Sequence, residues 1–418
     1  MRKWKKGLFV AGVVAMSFLA SGYGSHEVKS GEAAEENTDA GEETSETSPA
    51  NSETGEESKE ASREISETVS RVIEAGKTRA DREPGHVESG EAAADKAAED
   101  GSAKREVVIS LAGDCSLGNL SIHGYEGTFR EMYDRQGPSW FFKNVKPIFE
   151  ADDMTLVNFE GVLTNSNNRV EKAFNIKGKP EYIHILPEAS IDAVSFGNNH
   201  RIDYGAQGVA DTVAAFESIG LPYAYDDKTG IFETEDGIKI GIISVDVIYG
   251  GRNVETYVQN GIQKLRQQEA DLILACCHWG IESTYNATGY QLELGRKCID
   301  WGVDLVVGCH PHVLQGVEYY NGKYIIYSLG NFCFGGNRNP KDKNTMIAQA
   351  RFEIENGAAT KEAELTLIPC TLSSVEHRND YCPTVAEGDR KRLIIQRLNE
   401  YSRAFGVTVD EEGRVGHP

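Results

Sequence analysis

The chain has 418 residues and carries 65 Asp and Glu against 43 Lys and Arg, a formal net charge of −22. That balance speaks against a nucleic-acid partner, because phosphate binding needs a positive field. The length allows two or three domains, but the uneven spread of apolar residues reduces that number.

In chain order, MRKWKKG sets four cations ahead of the apolar run LFVAGVVAMSFLA (8–20). A basic head before a 13-residue apolar stretch is the pattern of an export signal, and the stretch is short for a full membrane span. Residues 1–24 are expected to be a signal peptide or a retained N-terminal membrane anchor. The protein is then exported, extracellular or held at the cell surface. Residues 25–104 are expected to form an acidic disordered linker. From Ser25 to Asp100, 22 Asp and Glu accompany only 8 Lys and Arg, with few large apolar residues. Such a stretch cannot bury enough surface to offset its ordering entropy. ASREISETVSRVIEAG (61–76) is its one helical pattern, with Ile65, Val69, Val72 and Ile73 on one face.

From residue 105 onward, short apolar runs repeatedly end in Gly, Asp, Asn or His. They are EVVISLAGD (106–114), MTLVNFEG (154–161), IDAVSFGNNH (191–200), IKIGIISVD (238–246), DLILACCHWG (271–280), VDLVVGCHPH (303–312) and KYIIYSLGNF (323–332). Runs this rich in Val, Ile and Leu read as strands buried on both faces. Helical spacing appears between them at 205–220, 260–270 and 290–302, so the pattern is layered α/β. Residues 345–357 and 359–372 alternate polar and apolar around ENG, the pattern of a hairpin with one solvated face. The main domain is expected over 105–372, with 373–418 a polar loop and a C-terminal helix packing on it. Of the eight cysteines, most follow apolar strands and read as small buried thiols. Cys370 and Cys382, either side of an 11-residue polar loop, are the pair best placed for a disulfide.

Ligands in such sheets collect beyond the carboxyl ends of the strands. Asp114, Glu160, Asn198, Asn199, His200, His278, His310, His312 and Asn331 all sit at or just after expected strand ends. If the strands share a sheet and a polarity, these residues converge. Carboxylates, imidazoles and amides together suit one or two divalent ions, with Mn, Zn or Fe as candidates. Such ions activate water against a phosphoryl or acyl centre. The duller roles are a turn cap for Asp114, turn formation for one of Asn198 and Asn199, and a core imidazole for His278. His310 and His312 point to one side if the HPH segment is extended, a geometry that Pro311 favours. Asp203 is placed to fix the tautomer of His200 and Glu282 to act similarly on His278, while Asn331 is placed to orient its loop. Lys172, Lys177 and Arg130 are candidates for covering the site or neutralising an anionic substrate. His200 and His278 are the candidate proton donors to a leaving group.

Six segments in this order resemble the bacterial capsule synthesis CapA family, also called the poly-gamma-glutamate biosynthesis family. They are GDCSLG (113–118), NFEGVLT (158–164), SFGNNHRIDYG (195–205), HWGIE (278–282), GCHPHVLQGVE (308–318) and YSLGNF (327–332). The resemblance implies a fold similar to calcineurin-like metallophosphoesterases, a two-sheet α/β sandwich with flanking helices and metal-binding loops at one end. It also implies an anionic polymer partner, such as poly-gamma-glutamate or glutamyl-containing cell-wall material, and membrane-bound polymer synthesis proteins. The broader phosphoesterase pattern begins Asp-x-His, whereas this chain reads Asp114-Cys115-Ser116. The readings that follow are a hydrolase-like enzyme of extracytoplasmic polymer metabolism, a non-catalytic binding or export component using a divalent-metal bridge, and a metal-dependent phosphoesterase.

Overall fold

The computed structural model describes residues 104–360 and 362–418. The expected signal or anchor (1–24), the helical pattern at 61–76 and all but the last residue of the acidic linker (25–104) lie outside the described residues. Among the described residues, no helix is long and apolar enough to cross a membrane.

Strands β1 (Arg105–Ser116), β2 (Met154–Phe159), β3 (Ala193–Ser195) and β4 (Tyr223–Ala224) lie side by side and parallel in a first sheet. The second sheet begins with β5 (Gly230–Glu233), antiparallel to β6 (Lys239–Asp246). There β6, β7 (Leu272–His278) and β8 (Leu305–Cys309) run parallel, and the hairpin of β9 (Val317–Tyr320) and β10 (Lys323–Ile326) closes the far edge. The chain then returns to the first sheet, where β11 (Asn331–Phe334) pairs with the end of β1. β12 (Asn344–Glu355), β13 (Glu364–Thr371) and β14 (Thr384–Val385) extend that sheet antiparallel. The fold is thus α/β, with two mixed sheets and flanking helices.

Alternation along each strand explains why the runs are apolar throughout. Val107, Ile109, Leu111 and Leu156 of the first sheet meet Ile240, Ile242, Leu272, Leu274 and Val307 of the second in one core. The opposite faces carry Val157, Phe159 and Val194 on one side and Ile243, Val245, Ile273 and Ala275 on the other. Helix α1 (Gly205–Ser218) covers the first of these outer faces through Phe216. Helices α2 (Val254–Gln267) and α3 (Gly289–Asp300) cover the second through Val258, Leu265 and Leu294. The start of α3 is fixed by a capping box between Thr288 and Gln291. Helix α4 (Gly388–Ser402) adds Ile394 and Leu398 to the core between the sheets.

The expected strand at 323–332 is two strands in different sheets, split at Gly330, which adopts φ +72°. The crossing brings this turn against β1, where Asp114 donates its backbone N–H to the Gly330 carbonyl at 3.0 Å. A Cβ on Gly113 would fall 1.9 Å from that carbonyl oxygen, so only glycine allows the approach. The disulfide expectation is corrected. Cys370 and Cys382 are free, buried thiols, and Cys370 pairs across the ladder with Val385 instead.

Candidate metal centre

The polar residues that end the runs do converge, but from two sheets rather than one. Asp114 lies near the end of β1, Glu160 follows β2, and Asn199 and His200 follow β3 in the first sheet. His278 ends β7, and His310 and His312 follow β8 in the second. The parallel strands of both sheets aim their carboxyl ends at a common rim, and Asn331 joins them from β11.

Glu160 is the hub. Its side chain is fully buried, and its Oε1 lies 3.7 Å from His278 Nε2, 3.8 Å from His312 Nε2 and 3.9 Å from His200 Nε2. Neither carboxylate oxygen has a hydrogen-bond partner, and His310 Nδ1 has none either. Buried polar atoms left unpaired cost about 1–3 kcal/mol each, so the cluster is costly unless something else satisfies it. Three sets, Glu160–His278–His310, Asp114–Glu160–His312 and Glu282–His310–His312, offer ligand atoms within 4.8 Å of one another. Mixed imidazole and carboxylate donors suit a divalent ion with ligand bonds of about 2.0–2.2 Å. The residues therefore fit a metal, and the donor set does not single out one element.

Surrounding bonds hold these donors in orientation. His200 Nδ1 lies 2.8 Å from Asp203 Oδ2, which leaves Nε2 facing Glu160. Asp203 is fully buried and also accepts from Ile176 N and Lys172 Nζ, each at 2.6 Å. His312 Nδ1 meets Asn331 Oδ1 at 2.9 Å and Asp114 Oδ2 at 3.1 Å, so its Nε2 likewise faces Glu160. His278 Nε2 contacts Asn199 Oδ1 at 3.0 Å. Asn198 is spent on the backbone, donating to the Phe159 carbonyl and accepting from His200 N, so it is the architectural member of the pair.

Three expectations change here. The HPH segment is not extended, since His310 and His312 adopt φ 95° and 58°. Left-handed backbone at two non-glycine residues is strained, and it turns both imidazoles into the cluster. Arg130 and Lys177 stand outside this cleft, in a neighbouring recess. Glu282 is exposed and lines the cleft beside His200 and His312, and among the described residues no hydrogen bond or ion pair joins it to His278. Sequence reasoning missed Asn158, whose amide donates to Asp114 Oδ1 at 2.7 Å and lies 3.3 Å from His278 Nδ1. Its signal was a polar residue inside the otherwise apolar run MTLVNF.

Burial first, then the Asp114 charge, pushes the Glu160 carboxyl well above the usual range. Burial and the neighbouring imidazoles hold His278 well below its ordinary value and bring His310 down to about 4. Burial also opposes charge on His312, but Glu160 and Asp114 outweigh it and push His312 up to about 10. The Glu160–His312 pair thus keeps at least one proton at neutral pH, and an ion must displace it. Calorimetric titration with Mn²⁺ or Zn²⁺ in two buffers of different ionisation enthalpy should show about one to two protons released per ion, with affinity rising with pH. A binding heat that does not depend on the buffer would refute this protonation state.

The cluster opens into a cleft of about 680 Å³ lined by His200, Glu282, Tyr285, His312, Asn331 and Phe334 among others. The family model described as bacterial capsule synthesis protein PGA_cap matches residues 108–336, which contain every donor named above. The chain is 26% identical over 323 residues to the capsule biosynthesis protein CapA of Bacillus anthracis, covering 71% of this chain and 74% of that one. It is 29% identical over 245 residues to the PGA biosynthesis protein CapA of Bacillus subtilis, covering 54% and 62% respectively. A solved 5'-nucleotidase from Candida albicans aligns over 72% of this chain and 59% of its own, at 11% identity and a TM-score of 0.38.

Proposed function

The chain belongs to the PGA_cap family of bacterial capsule synthesis proteins, and we propose that it acts outside the cytoplasm on an anionic polymer of the poly-gamma-glutamate type, through a metal-dependent hydrolase-like centre. The proposal includes an exported or membrane-anchored chain, a fold of the calcineurin-like metallophosphoesterase type and membrane-bound synthesis proteins as neighbours. The observation that carries it is the bare Glu160 carboxylate, faced by three imidazole nitrogens at the floor of an open cleft.

Asp114, Glu160, His278, His310 and His312 would hold the ion, with Asn199 at its margin. When bound, a divalent ion polarises an acyl or phosphoryl oxygen and lowers the pKa of water, which is the chemistry hydrolysis needs. The chain's own residues do the rest. Asp203 holds the His200 imidazole by its Nδ1, so that Nε2 is the atom that gives or takes a proton at the cleft. Lys172 donates to Asp203 and to the Asn199 carbonyl, tying the loop that carries His200 to the loop above it. Glu282, exposed at the mouth, is placed to receive a cationic substrate group. Phe334 and Tyr285 give the cleft walls apolar surface against which the substrate backbone can lie.

A second reading has its own support. At the position where phosphoesterases carry the histidine of Asp-x-His, this chain has Ser116, whose buried Oγ has no hydrogen-bond partner. The adjacent Cys115 points into the aromatic core beside the first sheet. One imidazole of a full two-ion set is thus absent. That favours a centre that grips polymer carboxylates through a single ion without cleaving the chain. Metal-loaded and metal-stripped protein should be assayed on a gamma-glutamyl polymer and on a generic phosphodiester. Metal-dependent shortening of the polymer supports the hydrolase reading, and metal-dependent binding without shortening supports the bridge. Turnover of the phosphodiester alone would replace both with a phosphoesterase.

A further inference from the structure

Beside the metal cleft lies a second recess, of about 480 Å³, within the size range of small-molecule sites. The two share Leu120. The short strand Ile176–Gly178 separates them, with Ile176 lining the cleft and Lys177 lining the recess, as alternation along a strand requires. Three cations line the recess, Arg130, Lys177 and Lys179, and no carboxylate does. On a chain of net charge −22, such a local excess marks a place where an anion is drawn in against the overall field.

The cations are available. Among the described residues Lys177 makes no ion pair; its Nζ donates to the Ser166 carbonyl at 2.7 Å and to Asn167 Oδ1 at 3.2 Å. Burial lowers its pKa, which an arriving negative charge would reverse. Arg130 and Lys179 meet Asp134 at 3.8 and 3.7 Å, and Lys179 meets Glu181 at 3.1 Å. These are solvent-facing pairs of small worth that a ligand can exchange. At the wall, the Tyr182 hydroxyl is buried without any hydrogen-bond partner, although buried hydroxyls are ordinarily bonded.

We propose that this recess binds the free α-carboxylates of a gamma-linked glutamyl chain whose next residues occupy the metal cleft. The inference rests on the polymer reading above, and adds to it a second contact that favours long chains over short ones. A polymer with a carboxylate on every residue can engage both places at once, and linked contacts raise affinity without any new chemistry at the centre.

The test is titration of the metal-loaded protein with a gamma-glutamyl dimer and with an oligomer of about ten residues. The wild type should bind the oligomer at least about tenfold more tightly than the dimer. Lys177→Gln, and separately Arg130→Gln with Lys179→Gln, should remove most of that advantage and its salt dependence, while leaving metal content and dimer binding unchanged. Lys177→Arg should restore oligomer binding. Oligomer affinity that is unchanged in both recess variants overturns the inference and leaves the polymer reading intact. Failure of the wild type to bind either glutamyl ligand overturns the polymer reading itself and the inference with it. Inorganic phosphate that displaces the oligomer at low concentration in wild type but not in Lys177→Gln would overturn the carboxylate assignment.

Discussion

Replacing Glu160 by glutamine should strip the centre of its ion and, at the same time, make the ion-free protein more stable. Glu160 is the only carboxylate reached by the Nε2 atoms of His200, His278 and His312 together among the described residues. Losing its charge should weaken ion binding by about a hundredfold or more, at least the upper end of what outer partners alone contribute. The stability change has the opposite sign. Because the folded-state pKa of Glu160 is raised, chiefly by burial, the folded state binds more protons than the unfolded one above the ordinary carboxylate range. Stability of the ion-free wild type is therefore lost as pH rises through that folded pKa. Glutamine does not titrate, so the variant lacks this loss and should melt above the ion-free wild type in mildly alkaline buffer. Metal analysis and melting curves of ion-free protein at pH 5 and pH 8 check both halves. Equal metal content in variant and wild type would remove Glu160 from the centre.

The second large effect is expected at Asp203, which touches no proposed ion. Its buried carboxylate accepts from His200 Nδ1, Ile176 N and Lys172 Nζ within 2.8 Å. Asp203→Ala leaves the Lys172 ammonium without its counter-charge, held only by the Asn199 carbonyl, and a buried backbone N–H unpaired, and should cost about 3–5 kcal/mol. It also frees the His200 ring, so ion affinity should fall by about 10–100-fold. Asp203→Asn combined with Lys172→Met removes the charges together and should recover most of the stability but not the affinity. A denaturant midpoint for Asp203→Ala within about 1 kcal/mol of wild type would show that the network carries little.

Much of the centre was legible because each parallel strand is apolar until it leaves the core. The polar residues that close such a run must then sit at the rim, as Asp114 and His278 do, and as His200 and Asn331 do a few residues further on. What the pattern could not reveal was which sheet each strand joins. Alternation looks the same in both, so the crossing at Gly330 was read as one strand rather than two. Pro311 suggested an extended HPH segment, but the surrounding structure holds both histidines at positive φ, against local preference. Asn158 escaped because its partners, Asp114 and His278, lie 44 and 120 residues away, beyond any local spacing. Lys177 and Arg130 were recognised as cations of interest, yet strand alternation sends Lys177 to the far side of the cleft wall.

The path of the chain also sets a timetable. Asp114 receives the backbone N–H of His310 from 196 residues downstream, and β11 must then come back from the second sheet to lie along β1. During synthesis the early donors emerge long before the late ones, and no contiguous fragment contains the whole constellation until Asn331 has been made. Capture of the proposed ion would consequently be a finishing event, and a loaded molecule would be one in which both halves of the architecture have already met.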